Sequence, residues 1–129
     1  MSIGRPGRLI AVLSLLAACA PRPVALQIRM YDFTFEPERI EVPAGAEVTL
    51  TISNVGNNEH VWALVEAGYE FDLPFREGDN DHVLHRVAVD VGGRETYVFT
   101  APTEPGEYPV ICTIPGHPEA GMIAVMVVE

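Results

Sequence analysis

Lysine is absent from this sequence, and all eight basic residues are arginine. They stand against 18 Asp plus Glu, which leaves a formal charge of -10 over 129 residues. Basic clusters able to neutralise a run of phosphates are therefore missing, which argues against nucleic-acid binding. Aromatic residues make up only 8%, and there are two cysteines, Cys19 and Cys112. No long window carries a helical period, and no apolar stretch is long enough to cross a bilayer as a helix. The chain is too short for a large multi-domain enzyme. What it does have is turn chemistry, with eleven Gly and eleven Pro, and 48% hydrophobic residues. One small globular domain fits this balance; a disordered acidic tail does not.

The first segment does not belong to that domain. Arg5 and Arg8 precede Leu9 to Ala17, a nine-residue apolar stretch of the length of a secretory h-region. The run Leu16-Ala17-Ala18-Cys19 resembles a bacterial lipoprotein signal, cleaved before Cys19 with acylation of its sulfur. An ordinary signal cleaved around Ala18-Cys19-Ala20 is the alternative. In either case export is expected, with residues 1–18 as signal peptide, 19–24 as lipidated N-terminus and proline-containing tether, and 25–129 as the folded domain. The expected location is the periplasm or the outer face of the cell membrane, held there by lipid on Cys19. Cys112 is then a lone thiol in an oxidising compartment, where an unprotected thiol is a liability, so something is expected to occupy it.

Alternating residues mark the strands. Leu26, Ile28 and Met30 alternate with polar neighbours, as do Val48, Leu50 and Ile52. Further strands are expected at 39–42, 61–65, 86–91, 96–100, 107–112 and 122–128, and Pro43-Ala44-Gly45 makes a turn. About eight short strands separated by turn signals predict a two-layer antiparallel sandwich. The polar stretch from Gly68 to Asp81 predicts a surface excursion with room for one helical turn.

The chemistry concentrates in Cys112-Thr113-Ile114-Pro115-Gly116-His117-Pro118-Glu119-Ala120-Gly121-Met122. One short loop delivers a thiolate, an imidazole and a thioether. A soft metal needs another strong donor, and His60 opens the expected strand 61–65. Two imidazoles, a thiolate and a weak thioether form the ligand set of a trigonal copper site with a long axial bond. Zinc fits less well, since structural zinc sites take Cys and His at all four positions. Taken singly, a buried cysteine, a loop histidine and a strand methionine are ordinary structural residues; their joint spacing points to a metal.

The spacings N-x5-H, Asn54 to His60, and C-x4-H-x4-M, Cys112 to Met122, resemble those of the cupredoxins, the mononuclear blue-copper family. The resemblance covers about Ala25 to Glu129. Cys-Thr-Ile-Pro-Gly-His is similar to the ligand loop of azurins and auracyanins, and the His-to-Met gap to that of plastocyanins. The combined spacing is most similar to rusticyanin and sulfocyanin types. The resemblance implies an all-β, two-sheet antiparallel Greek-key sandwich holding one type 1 copper ion through His60, Cys112, His117 and Met122. It also implies an electron carrier and not an enzyme, taking no small-molecule substrate and exchanging one electron with redox proteins such as c-type cytochromes or a terminal oxidase. Copper storage, delivery or resistance is the alternative function. A third class, an enzyme with Cys112 as nucleophile and His117 as base, has only Glu119 as an obvious orienting acid and ranks last.

One position departs from the family pattern. Val61 stands where many cupredoxins carry an Asn or Ser that ties the ligand loops together, and Asn57, Asn58 and Glu59 are the available substitutes. Trp62 shares the parity of His60 and is expected to anchor the core. Ile114, Pro115, Pro118, Ala120 and Gly121 are expected to form an apolar patch around His117. Asp79, Asp81, His82 and His85 offer hard ligands for a second metal, but the simpler reading is a solvated loop meeting a strand.

Overall fold

The computed structural model describes Met1 and residues 19–129. The expected signal peptide thus lies, apart from Met1, outside the described residues. Among the described residues the alternation in the sequence becomes nine strands: β1 Val24–Tyr31, β2 Thr34–Glu36, β3 Arg39–Val42, β4 Glu47–Asn54, β5 His60–Val65, β6 Val83–Val89, β7 Arg94–Thr100, β8 Gly106–Ile111 and β9 Ile123–Val128. They form two sheets, ordered β2-β1-β4-β7 and β3-β9-β8-β5-β6. The expected helical turn is a short 3-10 helix, Glu77–His82. Among the described residues no helix is long and apolar enough to cross a membrane.

The pleat decides what faces inward. Ile28 and Met30 of β1 and Val48, Leu50 and Ile52 of β4 are buried, and the residues between them face outward. β5 differs, being buried at all six positions. It lies inside the second sheet, and Tyr69, Phe71 and Phe75 of the 66–82 excursion are half-buried against the core. Trp62 on β5 is fully buried, the core anchor that its parity predicts.

Most neighbouring strands run antiparallel, but β1 pairs with β4 and β3 with β9 in parallel. These two pairs follow from the crossover after β2, which carries the chain from the first sheet to the edge of the second. Such pairings join residues far apart in sequence, and alternation alone does not specify them.

Aromatic contacts bridge the two sheets where edge strands β6 and β7 approach. The His85 ring lies 4.5 Å from that of Phe99, which in turn lies 6.0 Å from Trp62. His85 Nδ1 and the Tyr97 hydroxyl are hydrogen-bonded at 3.1 Å. Burial pushes His85 below its ordinary value of 6.5, because an imidazolium there would lose water without gaining a counter-charge. The unfolded chain therefore binds this proton more readily than the folded one. Stability contributed by neutral His85 is complete above about pH 6.5 and is lost as pH falls below that value. Denaturant unfolding of the metal-free chain should show this decline, and His85→Gln should make it shallower. His117, lowered in the same direction, adds to the slope.

Candidate metal centre

The loop between β8 and β9 is closed by its own main chain. Cys112, one residue beyond β8, donates its N–H to the Met122 carbonyl at 3.1 Å. His117 N–H bonds Ile114 O, Gly121 N–H bonds Pro118 O, and Met122 N–H returns to His117 O at 3.1 Å. Gly116 and Gly121 take the turns at φ of 89° and 103°, where a side chain would be strained. Cys112, His117 and Met122 are thereby fixed relative to one another, and the Met122 side chain is fully buried.

His60 arrives from the other direction. Asn54, at the end of β4, is almost completely buried; its amide donates to Asn58 O and Val89 O, and its Oδ1 accepts from Gly56 N–H. This folds the five intervening residues into a compact loop and explains the Asn54-to-His60 spacing. β5 pairs with β8 through Ala63↔Ile111 and Leu64↔Val110, which brings the start of β5 beside the end of β8. His60 Nδ1 faces His117 Nδ1 at 3.1 Å, and His117 Nδ1 lies 3.5 Å from Cys112 Sγ. The three donors fall within 4.8 Å of one another.

These groups are poised for a cation. Burial pushes the Cys112 thiol up, outweighing the N–H groups of Val61 and Ile114 that favour its thiolate. Burial also lowers His117, and the neighbouring His60 lowers it further. The pocket thus favours neutral imidazole and thiol, and a metal must displace the thiol proton to bind. Metal–nitrogen bonds of about 2.0 Å and metal–sulfur bonds of about 2.3 Å allow donors at these separations to share one ion. The combination of imidazole, thiolate and thioether suits copper.

The pattern of the cupredoxin-like domain matches residues 8–125. The chain belongs to the cupredoxin-like domain family. Among solved structures, this cupredoxin is similar to the dithionite-reduced auracyanin of the photosynthetic bacterium Roseiflexus castenholzii. That pair is 26% identical with a TM-score of 0.69, over 82% of this chain and 96% of the other. It is also similar to auracyanin A of Chloroflexus aurantiacus, described as a "blue" copper protein, at 25% identity and a TM-score of 0.66 over 83% and 99% of the chains. Auracyanin B shares the fold at 24% identity and a TM-score of 0.68, over 85% and 91% of the chains. No curated protein matches this cupredoxin.

The loop tie expected of Asn57, Asn58 or Glu59 is made instead by the main chain of Val61, whose N–H donates to Cys112 Sγ at 3.4 Å. Glu119 accepts from Gly116 N–H, so it is not the acid that orients His117. Three of the four hard ligands considered for a second metal go to separate partners. Asp79 accepts from Tyr69 and from Arg76 N–H, His82 pairs with Glu66 at 2.9 Å, and His85 bonds Tyr97. Pro118 is buried, whereas Ala120 and Gly121 are exposed as expected.

Two residues at the site escaped sequence reasoning. Asp32 and Phe33 form the two-residue turn between β1 and β2. Phe33, at φ 67°, sets its ring edge-on to His117, 5.2 Å between centroids. A positive φ at a bulky residue is uncommon and tends to persist where the surroundings enforce it, but nothing in the residue order announces it. Asp32 Oδ1 lies 3.0 Å from His60 Nε2. Gly56 backs this contact: a Cβ there would stand 2.5 Å from Asp32 Oδ1 and 3.0 Å from His60 Nε2. Gly56→Ala is expected to cost about 1–3 kcal/mol. Thermal unfolding of the metal-free chain should show a Tm several degrees lower, and an unchanged Tm would mean the loop yields freely.

Proposed function

We propose that this chain is an exported, lipid-anchored blue copper electron carrier, with His60, Cys112, His117 and Met122 as copper ligands. The observation that carries the reading is the convergence of His60, from β5, with Cys112 and His117, from the loop between β8 and β9. Copper bound there supplies the Cu(II)/Cu(I) couple. The chain's part is to hold the donors still. Cys112 and Met122 are locked by the hydrogen bond between them, and His60 by the knitted loop before it. A frame that moves little between oxidation states lowers the rearrangement that accompanies electron transfer.

His117 is the exit. His60 and Cys112 are fully buried, while His117 is only half-buried beside the exposed ring of Phe33 and the exposed Pro115 and Ala120. The similarity to auracyanin A, described as a "blue" copper protein, supports the assignment. A copper-delivery protein must hand its ion to another protein's ligands, and the burial of Cys112 and His60 favours retention instead. The formal charge of -10 suits long-range attraction to a basic redox partner such as a c-type cytochrome, or to a terminal oxidase. Cys19 is exposed and stands shortly before β1, which suits a lipid anchor at a periplasmic or outer membrane face.

Loading the metal-free chain with Cu(II) should give an intense visible thiolate-to-copper band that is lost on reduction and absent in Cys112→Ser; a colourless wild type would overturn the copper reading. His117→Gly is expected to slow electron exchange with a redox cytochrome more than about tenfold, with recovery on adding imidazole. Stopped-flow rates for the wild type should fall as salt is raised, and rates indifferent to ionic strength would remove the steering role.

A further inference from the structure

His60 has two ring nitrogens, and the structure uses both. Nδ1 faces the donor cluster, while Nε2 meets the Asp32 carboxylate at 3.0 Å. Asp32 also accepts from the main-chain N–H groups of Asn57 and Asn58, at 2.9 and 3.2 Å, and from the Asn57 side chain at 3.2 Å. Three N–H groups besides His60 already point at this carboxylate, which therefore serves as an acceptor, so the ring proton that meets it is carried on Nε2 and the Nδ1 lone pair is left for a metal.

We propose that Asp32 is a positioning residue of the copper site, fixing the Nε2–H tautomer of His60 and placing a negative charge behind it that favours Cu(II) over Cu(I). The proposal rests on the copper reading above. Its geometry has independent support from Gly56, whose missing side chain leaves the space in which carboxylate and imidazole meet. A hydrogen-bonded carboxylate makes the ring a stronger donor, and the stronger donor stabilises the higher oxidation state. The charge acts in the same direction, and with Asp32 only a quarter exposed, water screens it incompletely.

The test uses the full chain and separates the two effects. Asp32→Asn keeps an oxygen that can accept from Nε2–H but removes the charge, whereas Asp32→Ala removes both. In nitrogen NMR of the metal-free chains, His60 should hold one tautomer in the wild type and in Asp32→Asn, and should populate both in Asp32→Ala. In copper-loaded protein, Asp32→Asn should keep the visible band and raise the equilibrium constant for reduction about tenfold, equivalent to about 59 mV for one electron. Asp32→Ala should in addition weaken Cu(II) binding about tenfold or more. Glu59→Gln removes an exposed charge next to His60 in sequence but not bonded to it, and should shift the potential much less. An unchanged potential in Asp32→Asn, an equal shift in Glu59→Gln, or a single tautomer in Asp32→Ala would each overturn the proposal. If the wild type takes up no copper, the functional reading fails by itself. The tautomer comparison, which needs no metal, still decides whether Asp32 orients His60.

Discussion

The β5–β8 ladder, paired through Ala63↔Ile111 and Leu64↔Val110, is the contact on which the metal centre depends. It sets the first residue of β5 beside the residue that follows β8, so that the Val61 N–H reaches Cys112 Sγ. Slipping the register by one residue would turn His60 to the opposite face of the sheet and separate it from the thiol. The burial of β5 on both faces resists such a slip, because either neighbouring register would leave Trp62 and Leu64 without the packing they now have.

Around that ladder the centre is built from two local loops and one long-range contact. The 112–122 loop folds on local hydrogen bonds, with two glycines at positive φ. The 54–60 loop folds on the Asn54 side chain. The Asp32–Phe33 turn then closes over both, its carboxylate on one imidazole and its aromatic ring on the other. Unfavourable backbone geometry at Phe33 is tolerated because the flanking pairs Tyr31↔Thr34 and Met30↔Phe35 hold the turn in place.

The electrostatics follow from this arrangement. Burial works against charge on Cys112 and His117, and Asp32 supplies the compensating negative charge on the far side of His60. Cys112, His60 and His117 would hold a cation in exchange for the thiol proton, with the Asp32 carboxylate one imidazole away. Burial therefore leaves the Cys112 thiol and the His117 imidazole uncharged beforehand, so that metal binding must displace the thiol proton. The remaining histidines take no part: His82 stacks on Tyr69 with 3.7 Å between centroids and His85 packs on Phe99, both far along the chain from the ligand loops.

Local information in the chain was enough for the strand alternation of Leu26 to Met30 and Val48 to Ile52, for the two-layer fold, and for the nearness of Cys112, His117 and Met122, since a short turn-rich loop leaves them little room to separate. The place of His60 was legible through the resemblance and the Asn54 spacing more than through any local rule. The parallel β1–β4 and β3–β9 pairs, the Asp32 carboxylate on His60, the Phe33 ring on His117 and the Val61 main-chain tie were decided by tertiary structure. Asp32 and His60 are 28 residues apart, in segments belonging to different sheets. A period of two tells which face a side chain takes but not which strand lies opposite, so contacts between sheets exist only once the whole sandwich has closed.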